Sequence, residues 1–203
     1  VFSNVTLVGP LGQAADFANN TGYINGYDYG VASGIRTGIF QAAMQIRRNS
    51  RLSCFNSVAI GFPVGLMLSN DGRGDTQGAA ANGLLKLKNV YLAGVDLLGA
   101  DADKKDPAAW SGAVSSNYFN TAGLNNYNYP AIADLKLKQP NSKAANPNWG
   151  PLSDSPLLGS ADFTDAFVSD AFFSKINYVG AFSGENDNWA SGWTNFDPQN
   201  ATY

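Results

Sequence analysis

The segment Met44–Asn70, MQIRRNSRLSCFNSVAIGFPVGLMLSN, constrains this chain more than any other. Its apolar residues come as alternating pairs: Met44 and Ile46, Leu52 and Cys54, Val58 and Ile60, Leu66 and Leu68. A two-residue period places one face inward and one outward on a strand, not on a helix. Only a few residues separate the pairs, so successive strands must coil round one core. The segment reads as about two turns of a solenoid with those eight residues inward. Arg47, Arg48 and Arg51 then occupy its outward face.

Two other segments repeat the pattern. Phe2-Ser-Asn-Val-Thr-Leu-Val-Gly9, Phe55-Asn-Ser-Val-Ala-Ile-Gly61 and Leu87-Lys-Asn-Val-Tyr-Leu-Ala-Gly94 each carry Asn or Ser, then Val-x-aliphatic, then Gly. Unequal gaps separate the copies. Stacked coils of a parallel β-helix require this arrangement: inward aliphatics form columns, Asn at the bend bonds the next Asn, and Gly permits the tight turn. The alternative is a β-sandwich, which the scarcity of Asn-Gly hairpin signals between the strands disfavours.

The 203 residues suit one domain with a real core. Charged residues are 14% and the net charge is -3, which argues against nucleic acid as a partner. The chain has no histidine, so a Ser-His-Asp or Cys-His nucleophile cannot be assembled within it. Cys54 is the sole cysteine, shares strand parity with Leu52, Val58 and Ile60, and reads as a small buried hydrophobe. No apolar run approaches the ~20 residues that cross a bilayer. No signal peptide is visible. The chain opens on Val1, inside a strand-like segment, which sets the expectation that further coils precede it.

Elsewhere, residues 13–38 read as a long excursion loop and 69–83 as a second loop without an apolar anchor. Leu84–Gly94 reads as a strand pair, with Leu85, Leu87, Val90 and Leu92 inward. Asp106 and Pro107 mark a helix start, with Trp110, Val114 and Tyr118 on one face. Residues 120–156 read as loop with one strand at Ile132–Leu137, and 160–176 as short helical turns. The aromatic tail from Asn177 reads as a cap over the end or side of the solenoid. The expected organisation is 1–95 for coils and side loops, 96–160 for a helix-and-loop excursion and 161–203 for the cap, all within one domain.

Ile46–Leu66 and FFSKINYVGAFSGENDNWASGWTNFDPQ (Phe172–Gln199) together resemble a family of secreted Bacteroidota proteins, and DSPLLGSADF (Asp154–Phe163) fits its Ser-Pro-Leu-Leu-x-Gly-Ala pattern. The resemblance covers most of the chain from Ile39 onward; the tail motif is its specific part. It implies a right-handed parallel β-helix, a longer protein with more N-terminal coils, and export to the cell surface or medium. It carries over no catalytic residue.

Several loops offer candidate sites. Asp71 and Asp75 flank Gly72-Arg73-Gly74 and could hold Ca2+, although the spacing lacks the Asp-x-Asp-x-Asp-Gly pattern. Asp101, Asp103 and Asp106 enclose Lys104 and Lys105 and read as a solvated, self-neutralising run. Glu185 and Asp187 form a third acidic loop. Tyr23, Tyr27, Tyr29, Trp110 and Trp149 lie in polar loops, where flat rings could stack on a surface glycan or simply cover the solenoid flank. Phe2, Val5 and Leu7 mark an edge coil, residues 1–9, that would pair with another polypeptide. The expected function is therefore a non-catalytic structural β-helix at the cell surface or outside the cell, associating through that edge. A glycan-binding module is the alternative. A polysaccharide lyase or hydrolase comes third, because paired carboxylates are not apparent.

Overall fold

The computed structural model describes residues 1–10, 42–70, 74–101 and 112–196. Tyr23, Tyr27, Tyr29, Asp71 and Trp110 lie outside them, as do Asp103 and Asp106. The described residues are strand-rich, and two sheets of parallel strands dominate. In the first, β1 (Phe2–Ser3) and β2 (Thr6–Val8) pair with β4 (Cys54–Ile60), which pairs with β6 (Leu87–Ala93), which pairs with β8 (Tyr127–Tyr129). In the second, the order is β3 (Ala42–Arg47), β5 (Val64–Ser69) and β7 (Leu97–Ala100). The chain visits the sheets in turn, and each visit lies one strand further along. A small antiparallel pair, β9 (Leu137–Gln139) with β10 (Asn148–Pro151), lies apart.

The register of the first sheet explains the repeat. Ser3 pairs with Phe55 and Phe55 with Lys88, so Asn4, Asn56 and Asn89 occupy one row. All three adopt left-handed backbone, with φ of 58°, 46° and 57°, and Asn125, two residues before the Tyr127 that pairs with Tyr91, follows at 53°. Asparagine tolerates this region better than other residues with a Cβ, because its short amide can bond locally. The row ends at glycines: Gly61 and Gly94 have φ of 65° and 60°, and a Cβ on Gly9 would lie 2.3 Å from the Gly61 carbonyl oxygen.

One left-handed residue resets strand parity. Cys54 faces inward with Ala59, packed against Met44, Ile46, Leu66 and Leu68 of the second sheet. Val58 and Ile60 do not share that face: they belong to a second core with Tyr91, Ala93, Leu135 and Val179 on the opposite side of the sheet. The expected inward placement of Val58 and Ile60 is thereby corrected. Register aligns Ser57 and Ala59, not Val58 and Ile60, with the inward Val90 and Leu92.

Other local expectations also change. Residues 69–83 are not all loop: Thr76–Ala81 forms a helix (α1), begun by Asp75, whose carboxylate accepts from the Gly78 N–H at 2.8 Å. Ala79 and Ala80 are its apolar anchor in the inner core. Leu84–Gly94 contributes one strand rather than two. The second helix (α2) spans Ala113–Phe119, and it buries Ser115 and Phe119 rather than Val114, which is exposed. Residues 132–135 form a single 3₁₀ turn, with the strand starting only at Leu137, and β8 and β10 are additional strands. No helix is assigned in 160–176, which is a succession of turns. No helix among the described residues is long and apolar enough to cross a membrane.

Candidate functional site

The C-terminal third lies along the outer face of the first sheet, and the asparagine row holds it there. The Asn56 side chain donates to the Asp162 carbonyl (3.0 Å) and accepts from the Asp162 N–H (2.8 Å). Asn89 donates to Asn56 Oδ1 (2.8 Å) and to the Ser160 carbonyl (2.7 Å), and Asn4 donates to the Tyr178 carbonyl (2.7 Å). The expected Asn-to-Asn bond is therefore present, and the same amides anchor the tail. Lys88 meets Asp162 at 3.0 Å and Lys86 meets Asp165 at 2.8 Å. Hydrogen bonds from Thr164, aided by Lys88 against the opposing effect of burial, lower Asp162 to about 2. Burial raises the Cys54 thiol, consistent with a structural residue rather than a nucleophile.

At Gly180 the tail lies directly against the sheet, its N–H donating to the Asn56 carbonyl at 2.8 Å. A Cβ there would sit 2.8 Å from Thr6 Oγ1 and 2.9 Å from Val58 Cγ1, and its φ is +87°. The Ala181 N–H then donates to the Thr6 hydroxyl at 2.9 Å. This approach carries Phe182 into the outer core and brings the following residues beside β2.

Beside β2 the tail forms an aromatic cleft of about 400 Å³. Thr6 and Val8 line one side; Trp149, Phe182, Trp189, Trp193 and Phe196 supply the rings. Phe182 stacks on Trp189 (centroids 5.4 Å apart, 18° between planes), and Trp189 stacks on Trp193 (5.8 Å, 20°). Phe196 meets Trp149 edge-on at 5.1 Å. The indole N–H groups are already bonded: Trp149 to the Pro140 carbonyl, Trp189 to Ala181 and Trp193 to Trp189, at 3.0, 2.9 and 2.6 Å. Trp189 is 51% exposed and Trp193 70%, whereas Trp149 is 6% exposed. Among the described residues, no charged side chain lines the cleft.

Of the five candidate rings that could stack on a glycan or cover the flank, only Trp149 is described, and it is a largely covered wall of the cleft. Trp189 and Trp193 belong to the aromatic tail that the sequence reads as a cap. Their spacing of four is visible in the sequence, but exposure of a ring is a tertiary property. Asp75 is spent on capping α1 and on accepting from Asn70 (3.1 Å). No group of three His, Cys, Asp or Glu residues suited to a metal gathers among the described residues. Asp187 accepts from Ser183, and Glu185 meets Lys138 at 3.5 Å.

The two ends of the stack differ. At the far end, side chains replace the missing strand partners. Ser115 accepts from the Leu68 N–H and donates to the Ala100 carbonyl; Tyr118 accepts from the Leu87 N–H; Asn126 accepts from the Val90 N–H and donates to the Leu87 carbonyl. At the near end, β1 and β2 pair on one side only among the described residues. Phe2 is 56% exposed there; Leu7 packs on the inner core and Val5 is half-buried. No family model, curated protein or solved structure matches the chain.

Proposed function

We propose that this chain is a non-catalytic structural module of a secreted or cell-surface protein, built as a right-handed parallel β-helix and associating through its N-terminal coil. The alternating visits to two parallel sheets support the solenoid, since parallel crossovers are right-handed in nearly all proteins. The asparagine row supports it too, as one residue type repeated at one bend. Export rests on the low charge content and on the resemblance of the 154–163 and 172–199 segments to the secreted Bacteroidota family.

The difference between the two ends carries the association. Parallel strands direct alternate N–H groups to the same side. The Gly9 N–H donates to the Ile60 carbonyl at 2.8 Å, so those of Thr6 and Val8 point away from β4. Unpaired strand edges template pairing with another chain. A second copy of this chain is the partner to test. Sedimentation equilibrium over a concentration series should show association, weakened by Phe2→Lys, and the Thr6 and Val8 amides should gain exchange protection with concentration. A chain that stays monomeric, with those amides exchanging freely at all concentrations, overturns the proposal.

A further inference from the structure

We infer that the aromatic cleft beside β2 binds an uncharged carbohydrate, with Trp193, supported by Trp189, as its stacking surface. An exposed large apolar patch is the informative departure from ordinary surfaces. Here it is a ring ladder rather than a scatter. Trp193 stacks on Trp189 and is still 70% exposed, so much of its ring is open to solvent. The face of an aromatic ring is the negative end of its quadrupole. The C–H groups on one side of a pyranose are weakly positive, flat and closely spaced, and they suit that surface.

The rest of the lining selects against other small ligands. Among the described residues it has no charged side chain to recognise a phosphate, an amine or a uronic acid. It does have hydroxyls beside the rings, from Thr6 and Thr194, which a purely apolar ligand would not use and the hydroxyl rim of a sugar can. Thr194 donates to the Ala190 carbonyl and Thr6 accepts from the Ala181 N–H, leaving acceptor capacity on the first and a donor on the second. The volume, about 400 Å³, lies within the range of small-ligand sites. The bonds from Trp189 and Trp193 to backbone carbonyls fix the rings before any ligand arrives, which lowers the ordering cost of binding. This inference does not depend on self-association.

The test is an array of neutral oligosaccharides of glucose, mannose, galactose and xylose, with uronic-acid oligosaccharides alongside, read with the whole chain. Hits are followed by tryptophan fluorescence titration. Saturable binding to at least one neutral oligosaccharide is expected, weakened at least ~10-fold by Trp193→Ala. Phe172→Ala, which removes a ring 85% exposed but outside the cleft, should leave binding unchanged. A blank array, binding confined to uronic acids, or neutral binding untouched by Trp193→Ala overturns the inference. If Trp193→Ala instead abolishes self-association and no sugar binds, the cleft receives polypeptide and the carbohydrate assignment falls. Failure of association with sugar binding intact leaves this inference standing.

Discussion

The two faces of the first sheet are both buried, yet they are built differently. The inner face holds aliphatic columns, such as Leu7, Ala59 and Leu92, packed on strands that follow one another closely in the chain. The outer face holds Val58, Ile60 and Tyr91 against residues 135 to 190. It is covered by a segment with little regular structure, so its backbone groups must find partners one at a time. The asparagine row supplies them. The inner core is secured by apolar area and the outer one by polar anchors placed around apolar area. Loss of one anchor therefore costs more than its size indicates, because buried groups of the partner segment are left unpaired.

The sharpest break in this comparison is Asn56→Ala. Three bonds of 3.0 Å or shorter made by a fully buried side chain disappear, with a longer one to the Ser3 hydroxyl at 3.4 Å, and alanine is strained at φ 46°. At about 1 kcal/mol for each bond and about 1 kcal/mol for the backbone, the loss should be about 4 kcal/mol in urea unfolding. Asn56→Gly should recover about 1 kcal/mol of it. Equal losses for the two variants would refute the backbone contribution.

Leu92→Ala probes the other face. Leu92 is fully buried in the inner core, and its truncation should cost about 3 kcal/mol with the tail still docked. The diagnostic measurement is exchange at the Asp162 amide: Asn56→Ala should expose it under native conditions, and Leu92→Ala should not.

Acid acts on the outer face first. Asp162 is lowered to about 2 from the ordinary 3.8, so its contribution is complete above about pH 4 and disappears as pH falls through about 2. That contribution should be about 1–2 kcal/mol after allowance for partial exposure. Asp162→Asn should flatten the stability profile between pH 4 and 2; a profile as steep as that of the parent chain would place the acid sensitivity elsewhere. The smallest effect belongs to Trp193→Ala. With the ring mostly exposed, stability should change by about 0.5 kcal/mol or less. A loss above about 2 kcal/mol would make Trp193 a core residue and weaken its assignment to binding.

Much of the inner core was legible from alternation alone. The pairs Met44 and Ile46, Leu66 and Leu68, Leu85 and Leu87, and Val90 and Leu92 each lie two residues apart with both members in the inner core. The alternation failed at Val58 and Ile60, because a single left-handed Asn56 shifts parity without leaving a mark in the pattern of apolar residues. The helix at Thr76–Ala81 was missed because alanines at a helical spacing resemble a small-residue loop until something packs on them. The cleft was legible only as composition. Trp149, Trp189 and Trp193 were visible as aromatic residues, but which rings are covered depends on where residues 178–182 cross the sheet.

The sequence by itself determined that short strands stack, that an asparagine recurs at each bend, and that an aromatic tail must cover something. These follow from local periodicity and residue chemistry, which any short window contains. Only the tertiary structure decided which face each strand turns inward, that the asparagines hold the tail as well as one another, and that two tryptophans remain exposed beside β2. Those outcomes depend on register and on contacts between residues as far apart as Asn4 and Tyr178. Sequence separation of that order leaves no periodic trace, so the arrangement of the site exists only once the chain has folded.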